Sequence, residues 1–244
     1  GGGHDLCVGD RRFYTCQTGQ KGLCRLRLVA RGTPGHGSMP HGDSAIIKLA
    51  RAVASLEGAV LPVHVSQSVR HMVGEIARHV PQTESEIWLG LLDEETSSEA
   101  LAALRIDEEL RSELGAMLRN TASLTMLQAG SKINVIPGEA MAWVDGRLAP
   151  GQSQESFVEE LRAFVGDEVE IEVDQYTPPL EADAESPLYV AIADVIRESD
   201  EDAGLLPYLL PAGTDAKHIV PRRPETVSYT HLRAHETPEH LVCR

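Results

Sequence analysis

A loop rich in glycine and proline carries the histidine that is best placed to do chemistry. Residues 32–40 read GTPGHGSMP, which sets His36 on a stiff, exposed turn between a strand and a helix. An imidazole in that setting can donate a hydrogen bond to an oxyanion that develops during a reaction. It can equally cap the helix that follows, and the residues by themselves leave both interpretations open.

Two further motifs carry side chains that suit the binding of a carboxylate. Asn134 stands at the start of a predicted strand, in residues 132–138 (KINVIPG), and can form hydrogen bonds across a cleft. Arg147, near the end of the next strand, can hold a carboxylate through two parallel hydrogen bonds. The turn at Gly213 and Thr214 offers backbone N–H groups and a hydroxyl. Taken singly, each motif is better explained by an ordinary turn or a surface side chain.

Other common site patterns are missing. No Gly-Lys-Ser/Thr follows Gly35 and Gly37, so a phosphate loop is not predicted. Ser38 lacks the Gly-x-Ser-x-Gly pattern of a nucleophile elbow. The four cysteines form no Cys-x-x-Cys pair and are too few for a disulfide scaffold. Free thiols are therefore expected, as in a reducing cytosol.

Hydrophobic periodicity predicts the elements that position these motifs. Residues 23–31 alternate as a half-buried strand, and Ser153 caps a predicted amphipathic helix. The remaining predictions, in chain order, are a helix at 43–56, helices within 66–120, strands at 121–128 and 139–148, a helix at 153–165 and a strand at 168–175. Their order predicts an α+β fold, a ferredoxin-like β-α-β-β-α-β sandwich with a helical insert at about 66–120.

The remaining segments differ from this pattern. Residues 186–198 predict a helix and residues 205–210 a short apolar strand that has no partner strand nearby in the sequence. This part is expected to belong to another domain. The last 18 residues, 227–244, show no helical or strand period and resemble translated sequencing-adapter read-through, so they are excluded from the fold prediction.

Size and charge limit the possible partners. The 244 residues allow one large or two small domains, and the formal net charge of −15 disfavours nucleic acid. No apolar run reaches the ~18 residues that span a bilayer, so no membrane segment is predicted and a cytoplasmic location is expected. About half of the negative charge lies in residues 84–113, which contain ten acidic residues and only two arginines. That segment is expected to be a solvated helical surface.

Taken together, the three motifs resemble one family. RGTPGHGSMP at 31–40, KINVIP at 132–137 with DGR at 145–147, and AGTDAK at 212–217 follow the order and rough spacing of metallopeptidase family twenty. That family includes aminoacylase, acetylornithine deacetylase, succinyl-diaminopimelate desuccinylase, glutamate carboxypeptidase and carnosinase. The resemblance covers residues 1–226. It implies a zinc-dependent amide hydrolase that acts on N-acyl amino acids or short peptides, with a di-zinc catalytic domain and an inserted ferredoxin-like lid that forms a homodimer.

The resemblance also implies a role for each singled-out residue. His36 would reach the active site of the partner subunit and stabilise the oxyanion. Asn134 would help to orient the substrate, and Arg147 would bind its terminal carboxylate. Gly213 and Thr214 would form the turn that contacts the same carboxylate.

The family's metal ligands have no counterparts here. They lie upstream of a Gly-Gly run, which Gly1 and Gly2 resemble, and downstream of the Gly-Thr-Asp turn, where the adapter-like tail stands. The two zinc ions are therefore expected only in an intact family member, and this chain is expected to hold no metal ligand and to be inactive. The resemblance divides the chain into catalytic-domain remnants at 1–22 and 177–226, a lid at 23–176, and the tail at 227–244. The alternative hypothesis is a dimerisation or binding module that has no catalytic role.

Overall fold

The computed structural model describes residues 5–9 and 11–215, which form two main sheets with helices packed against each. The tail at 227–244 and the end of the predicted remnant at 177–226 lie outside the described residues. Among the described residues, no helix is both long enough and apolar enough to cross a membrane.

One sheet has the predicted ferredoxin-like topology. Its four strands are all antiparallel and stand in the order β5-β7-β3-β8. We call it the lid sheet: β3 (Gly22–Arg31), β5 (Thr121–Ala129), β7 (Glu139–Leu148) and β8 (Val169–Thr177). Helices α1 (Ala45–Ser55) and α6 (Gln154–Val165) share its core through Leu49, Phe157 and Leu161. The predicted fold class is confirmed.

The alternation in β3 explains how the lid sheet is oriented. Leu26 and Leu28 are fully buried towards α1 and α6, while Arg25 and Arg27 face away. Arg27 pairs with Glu172 and Asp174 on the neighbouring strand β8. These ion pairs are partly exposed and contribute little stability, so the buried apolar face fixes the register.

The second sheet contains strands that the sequence pattern did not predict. β2 (Arg11–Gln20) pairs with β1 (Asp5–Val8) and β9 (Leu180–Glu181) antiparallel and with β10 (Gly204–Leu210) parallel. The predicted strand at 205–210 is therefore present, and its partner lies far away in the sequence. α7 (Pro187–Ser199) packs against β10, and the Ser186 side chain caps it.

The helical insert packs against the second sheet. It contains α2 (Gln67–Ala77), α3 (Gln82–Gly90), α4 (Ser97–Ala103) and α5 (Glu108–Leu118). Trp88, Ile76 and Leu114 share a buried core with Phe13 of β2 and Leu206 of β10. The described residues thus form two hydrophobic cores, one for the lid sheet and one for the insert with the second sheet.

The cysteines depart in part from the expectation of free thiols. Cys16 and Cys24 are free and buried, as expected. Cys7 is disulfide-bonded, so the expectation is wrong for this residue. Cys7 is exposed on the edge strand β1, where its sulfur is accessible to another thiol, and a low overall cysteine count does not exclude a single bond of this kind.

Candidate functional site

A two-stranded ladder brings the histidine loop and the asparagine motif together. β4 (Gly35–His36) pairs antiparallel with β6 (Val135–Ile136), and His36 stands opposite Val135. The backbone N–H of Gly37 donates to the Asn134 carbonyl at 2.8 Å. A Cβ atom at Gly37 would lie 3.3 Å from the Asn134 backbone, so glycine suits this close approach. His36 and Asn134 therefore lie side by side although almost one hundred residues separate them.

The imidazole of His36 is oriented by its own turn. The backbone N–H of Ser38 donates to Nδ1 at 3.2 Å, and the Ser38 hydroxyl lies 2.7 Å from the same atom. Because Nδ1 accepts a hydrogen bond, the neutral ring carries its proton on Nε2, which can donate to a ligand. The ring makes no hydrogen bond to α1, whose N-cap is Ser44. His36 therefore does not cap α1.

Arg147 lies at the opposite end of the lid sheet. It pairs with Leu23 of β3 and Thr121 of β5, while Glu139 begins the same strand at the end near the histidine loop. Arg147 is eight residues beyond Glu139, and eight residues of extended strand span about 26 Å. The guanidinium is held by Asp145, with Nε 2.7 Å and Nη2 3.4 Å from the two carboxylate oxygens. Nη1 makes no hydrogen bond to any described residue and is available to a ligand.

The Gly213–Thr214 turn is anchored at the same end of the lid sheet as Arg147. The backbone N–H and the hydroxyl of Thr214 both donate to Oε1 of Gln20, at 3.0 and 2.5 Å. Gln20 is buried at the end of β2, two residues before β3 begins. Gly213 is exposed, and a Cβ atom there would meet no atom within 4 Å. The structure thus separates the predicted residues into two groups, His36 with Asn134 and Arg147 with the Gly213–Thr214 turn.

A buried lysine that the sequence analysis missed lies between β2 and β3. Lys21 is 2% exposed, and its Nζ donates to the carbonyls of Ala116 and Arg119 at 2.8 and 2.7 Å. Burial, together with the nearby charge of Arg147, lowers its pKa from the ordinary 10.5 to about 7. No motif marks this lysine in the sequence, because its burial depends on helix α5, which lies about one hundred residues further along the chain.

The described residues do not supply a metal-binding set. In residues 5–9 and 11–215, no group of three or more His, Cys, Asp and Glu side chains is placed to hold a metal ion. His64 and Glu160 form a pair at 2.6 Å, and the second oxygen of Glu160 is occupied by Asn120. The di-zinc centre of the resembled family therefore does not fit these residues, and we derive no step through a metal.

Comparison with known proteins decides the family. Residues 18–172 match the family model of the M20 peptidase dimerisation domain, which covers more than half of the chain. The chain belongs to the M20 peptidase family. This confirms the resemblance on which the sequence prediction rests. The matched region begins near the end of β2, ends within β8 and includes His36, Asn134 and Arg147.

Individual relatives agree with this assignment. The chain is 29% identical over 211 residues to the N-fatty-acyl-amino acid synthase/hydrolase PM20D1 of Xenopus tropicalis, covering 83% of this chain and 39% of that protein. It is 27% identical over 204 residues to a probable carboxypeptidase S-like 2 of Dictyostelium discoideum, covering 82% and 38%. The chain thus spans about two fifths of the length of these M20 relatives.

A solved structure shares the fold. The M20 family metallo-carboxypeptidase Sso-CP2 from Sulfolobus solfataricus superimposes with a TM-score of 0.51 at 19% identity, covering 84% of this chain and 56% of that one. The described residues of this chain correspond to the M20 dimerisation domain with adjoining elements.

Proposed function

We propose that this M20 chain provides the lid and the carboxylate-binding part of a zinc-dependent amide hydrolase that acts on N-acyl amino acids or short peptides. The observation that carries the proposal is the separation of the predicted residues. His36 and Asn134 lie at one end of the lid sheet, and Arg147 and Thr214 at the other. A substrate can contact both groups only if they come from different subunits.

The edge strand β5 provides a surface for such a homodimer. β5 ends the lid sheet and exposes three apolar side chains, with Leu124 at 37%, Met126 at 59% and Leu127 at 66%. An exposed apolar edge of this kind favours pairing with another strand. A two-fold axis would pair two β5 strands antiparallel, so that the residue-129 end of one lies beside the residue-121 end of the other.

That arrangement completes the site. The end at Ala129 is the one beside Ala140 and the histidine loop, and the end at Thr121 is the one beside Arg147. Arg147, Gly213 and Thr214 of one protomer would bind the carboxylate of the substrate. The partner's His36 would donate from Nε2 to the oxyanion, and the partner's Asn134 would orient the acyl group. The residues that bind zinc are expected elsewhere in an intact hydrolase, so the 244-residue chain is inactive by itself.

A complementation experiment tests the shared site. Binding of N-acetylleucine to the 244-residue chain is measured by calorimetry for the original chain, His36→Ala, Arg147→Met and a refolded equal mixture of the two variants. Each variant alone is expected to lose about tenfold or more in affinity, as expected for the loss of a charged hydrogen bond. The mixture regains tight sites in its heterodimers, because one of the two sites contains both original residues.

The outcomes separate the two candidate functions. A mixture that binds no better than either variant would show that His36 and Arg147 do not share a site across subunits. A dimer that binds no N-acyl amino acid would favour the alternative, a dimerisation or binding module without a catalytic role. Turnover of N-acetylleucine that requires zinc and stops with a chelator would contradict the proposed inactivity.

A further inference from the structure

The buried Lys21 lies at the end of the lid sheet that carries Arg147. Its Nζ is 3.4 Å from the hydroxyl oxygen of Thr121, and its two shorter hydrogen bonds go to the backbone carbonyls of Ala116 and Arg119. In residues 5–9 and 11–215, no carboxylate forms an ion pair with Lys21. A buried ammonium group with only neutral partners is costly unless an anion compensates it.

Strand register places Thr121 beside Arg147. The two residues are cross-strand partners on β5 and β7. Their side chains therefore project from the same face of the lid sheet, with Cβ atoms about 5 Å apart. Thr121 is partly exposed, so a ligand of Arg147 can reach its hydroxyl. The same hydroxyl thus contacts the buried Lys21 and adjoins the guanidinium that is proposed to bind the carboxylate of the substrate.

The carboxylates near Lys21 are already engaged. The charged and titratable groups on the neighbouring elements are Arg147 and Asp145 of β7, Arg25 of β3, Glu113 of α5, Arg119 after α5 and Tyr208 of β10. Asp145 pairs with Arg147 and Arg25, and Glu113 accepts a hydrogen bond from Tyr208. The Arg119 guanidinium donates to serine hydroxyls. Burial and the charge of Arg147 together bring the pKa of Lys21 to about 7, so Lys21 is mainly neutral at about pH 8.

The protonation state of Lys21 decides where the Thr121 hydroxyl can donate. A neutral amine has two N–H groups, which suffice for the carbonyls of Ala116 and Arg119, and one lone pair, which accepts from the Thr121 hydroxyl. A protonated amine has a third N–H, which donates to Thr121 Oγ1 and leaves the hydroxyl proton for another acceptor. Protonation of Lys21 therefore provides an additional hydrogen-bond donor beside Arg147.

We propose that Lys21 and Thr121 extend the carboxylate-binding site of Arg147, and that Lys21 takes up a proton from solvent when the carboxylate binds. The carboxylate accepts hydrogen bonds from the guanidinium of Arg147 and from the Thr121 hydroxyl, and its negative charge compensates the ammonium group of Lys21. This role rests on the proposed function, because it takes Arg147 as the residue that binds the carboxylate. Thr121 touches the substrate, and Lys21 acts through it as a positioning residue.

Calorimetry at about pH 8, in buffers of different ionisation enthalpy, counts the protons taken up when N-acetylleucine binds to the 244-residue chain. The original chain is expected to take up a large fraction of one proton per site more than Lys21→Met. Its affinity is expected to fall by up to about tenfold per pH unit above about pH 7, because binding favours the protonated form, and Lys21→Met is expected to lack this fall. Lys132→Met is the matched control, because Lys132 is exposed.

A second variant tests the hydroxyl without changing any charge. Thr121→Val keeps the size of the side chain and is expected to weaken N-acetylleucine binding by about tenfold, as expected for the loss of a hydrogen bond to a charged group. Thr125→Val is the matched control on the same strand, because the Thr125 hydroxyl donates to the Trp143 carbonyl. It is expected to bind N-acetylleucine as tightly as the original chain.

The outcomes separate this role from the proposed function. An original chain that binds no N-acetylleucine contradicts both. Binding that depends on Arg147 but takes up the same number of protons in the original chain and in Lys21→Met overturns the role of Lys21 alone. If Lys21→Met does not fold, an affinity of the original chain that stays constant above about pH 7 overturns that role. Thr121→Val that binds as tightly as the original chain overturns the role of Thr121.

Discussion

The packing around position 146 explains why the residue between Asp145 and Arg147 is a glycine. It lies on β7 opposite Cys24, and its face of the strand is covered by the ring of Phe157 from α6. A Cβ atom at this position would stand 2.5 Å from the Cys24 carbonyl oxygen and closer still to the Phe157 ring. The motif is recognisable in the sequence by its arginine, whereas the glycine is required by packing.

Gly146→Ala is expected to lower the free energy of unfolding by about 1–3 kcal/mol, because the added methyl group overpacks the lid core. Urea unfolding followed by circular dichroism measures the change. Gly74→Ala in α2 is the control, since a Cβ atom there meets nothing within 4 Å. In a helix that change is expected to be stabilising by about 0.5–1 kcal/mol. Similar effects from the two substitutions would contradict this account of Gly146.

Lys21 makes the stability of the folded chain depend on pH. Its pKa is about 7 in the folded chain, against an ordinary value of 10.5. Between these two pH values the unfolded chain binds more protons than the folded chain at this residue. The contribution of Lys21 to the free energy of unfolding therefore rises as pH increases through that range, and below it the full cost of burying the charge is present.

Lys21→Met is expected to remove this rise. Relative to the variant, the original chain should gain up to about 1.4 kcal/mol of unfolding free energy per pH unit within that range. Urea unfolding at several pH values measures it, with Lys132→Met as the control because Lys132 is exposed. Parallel pH profiles for the original chain and Lys21→Met would show that Lys21 is not the residue responsible.

At the scale of elements, β5 and the β4–β6 ladder are the parts that organise the proposed site. The ladder holds His36 against Asn134, and β5 offers an exposed apolar edge. Leu127 is 66% exposed on a strand that has a paired neighbour on one side only. A two-fold interface would double the effect of any substitution on this edge, because each residue occurs in both copies.

Leu127→Lys is expected to weaken the proposed homodimer at least about tenfold, because a charged side chain would replace an apolar contact at each of the two symmetry-related positions. Sedimentation equilibrium measures the dissociation constant. Leu89→Lys is the matched control, since Leu89 is 47% exposed on α3 of the helical insert. An unchanged dimer in Leu127→Lys would place the interface elsewhere on the molecule.

At the scale of the whole molecule, the two hydrophobic cores divide the described chain. Phe157 and Leu161 belong to the lid core, while Ile76 and Trp88 belong to the core of the insert and the second sheet. The two tryptophans of the chain are divided in the same way, with Trp143 on β7 of the lid sheet. Trp88 can therefore report on the core of the insert and the second sheet, and Trp143, which is partly exposed on β7, on the lid sheet.

Phe157→Ala is expected to destabilise the lid core by about 3–5 kcal/mol. In a Trp88→Phe background, the fluorescence of Trp143 should show a large shift of the urea midpoint. In a Trp143→Phe background, Trp88 should show a much smaller shift, because its core does not contain Phe157. Equal shifts at both tryptophans would mean that the two cores unfold as one cooperative unit.

Local patterns in the sequence determined two kinds of element. These are strands whose polar and apolar residues alternate and helices that carry a capping residue at their N-terminus. The polar and apolar alternation of β3 predicted a half-buried strand, and Ser153 forms the predicted cap of α6 with a reciprocal hydrogen bond to Ser156. The order of these elements was sufficient for the ferredoxin-like topology, because it depends on nearest neighbours along the chain. The family motifs around His36 and Arg147 were likewise contiguous.

Only the tertiary structure decided those features that depend on strand pairing and burial between distant parts of the chain. β2 was missed because it buries polar residues, including Thr18 and Gln20, beside a partner strand almost two hundred residues away. Lys21 and Arg119 are surface residues by type, yet Lys21 is buried where α5 closes over the β2–β3 connection, and Arg119 is buried where its guanidinium donates to Ser97 and Ser98. The hydrophobic periodicity of the sequence cannot predict such contacts, because they join residues far apart along the chain. The division of the predicted residues between the two ends of the lid sheet follows from strand register, which is set by pairing across the sheet rather than along the chain.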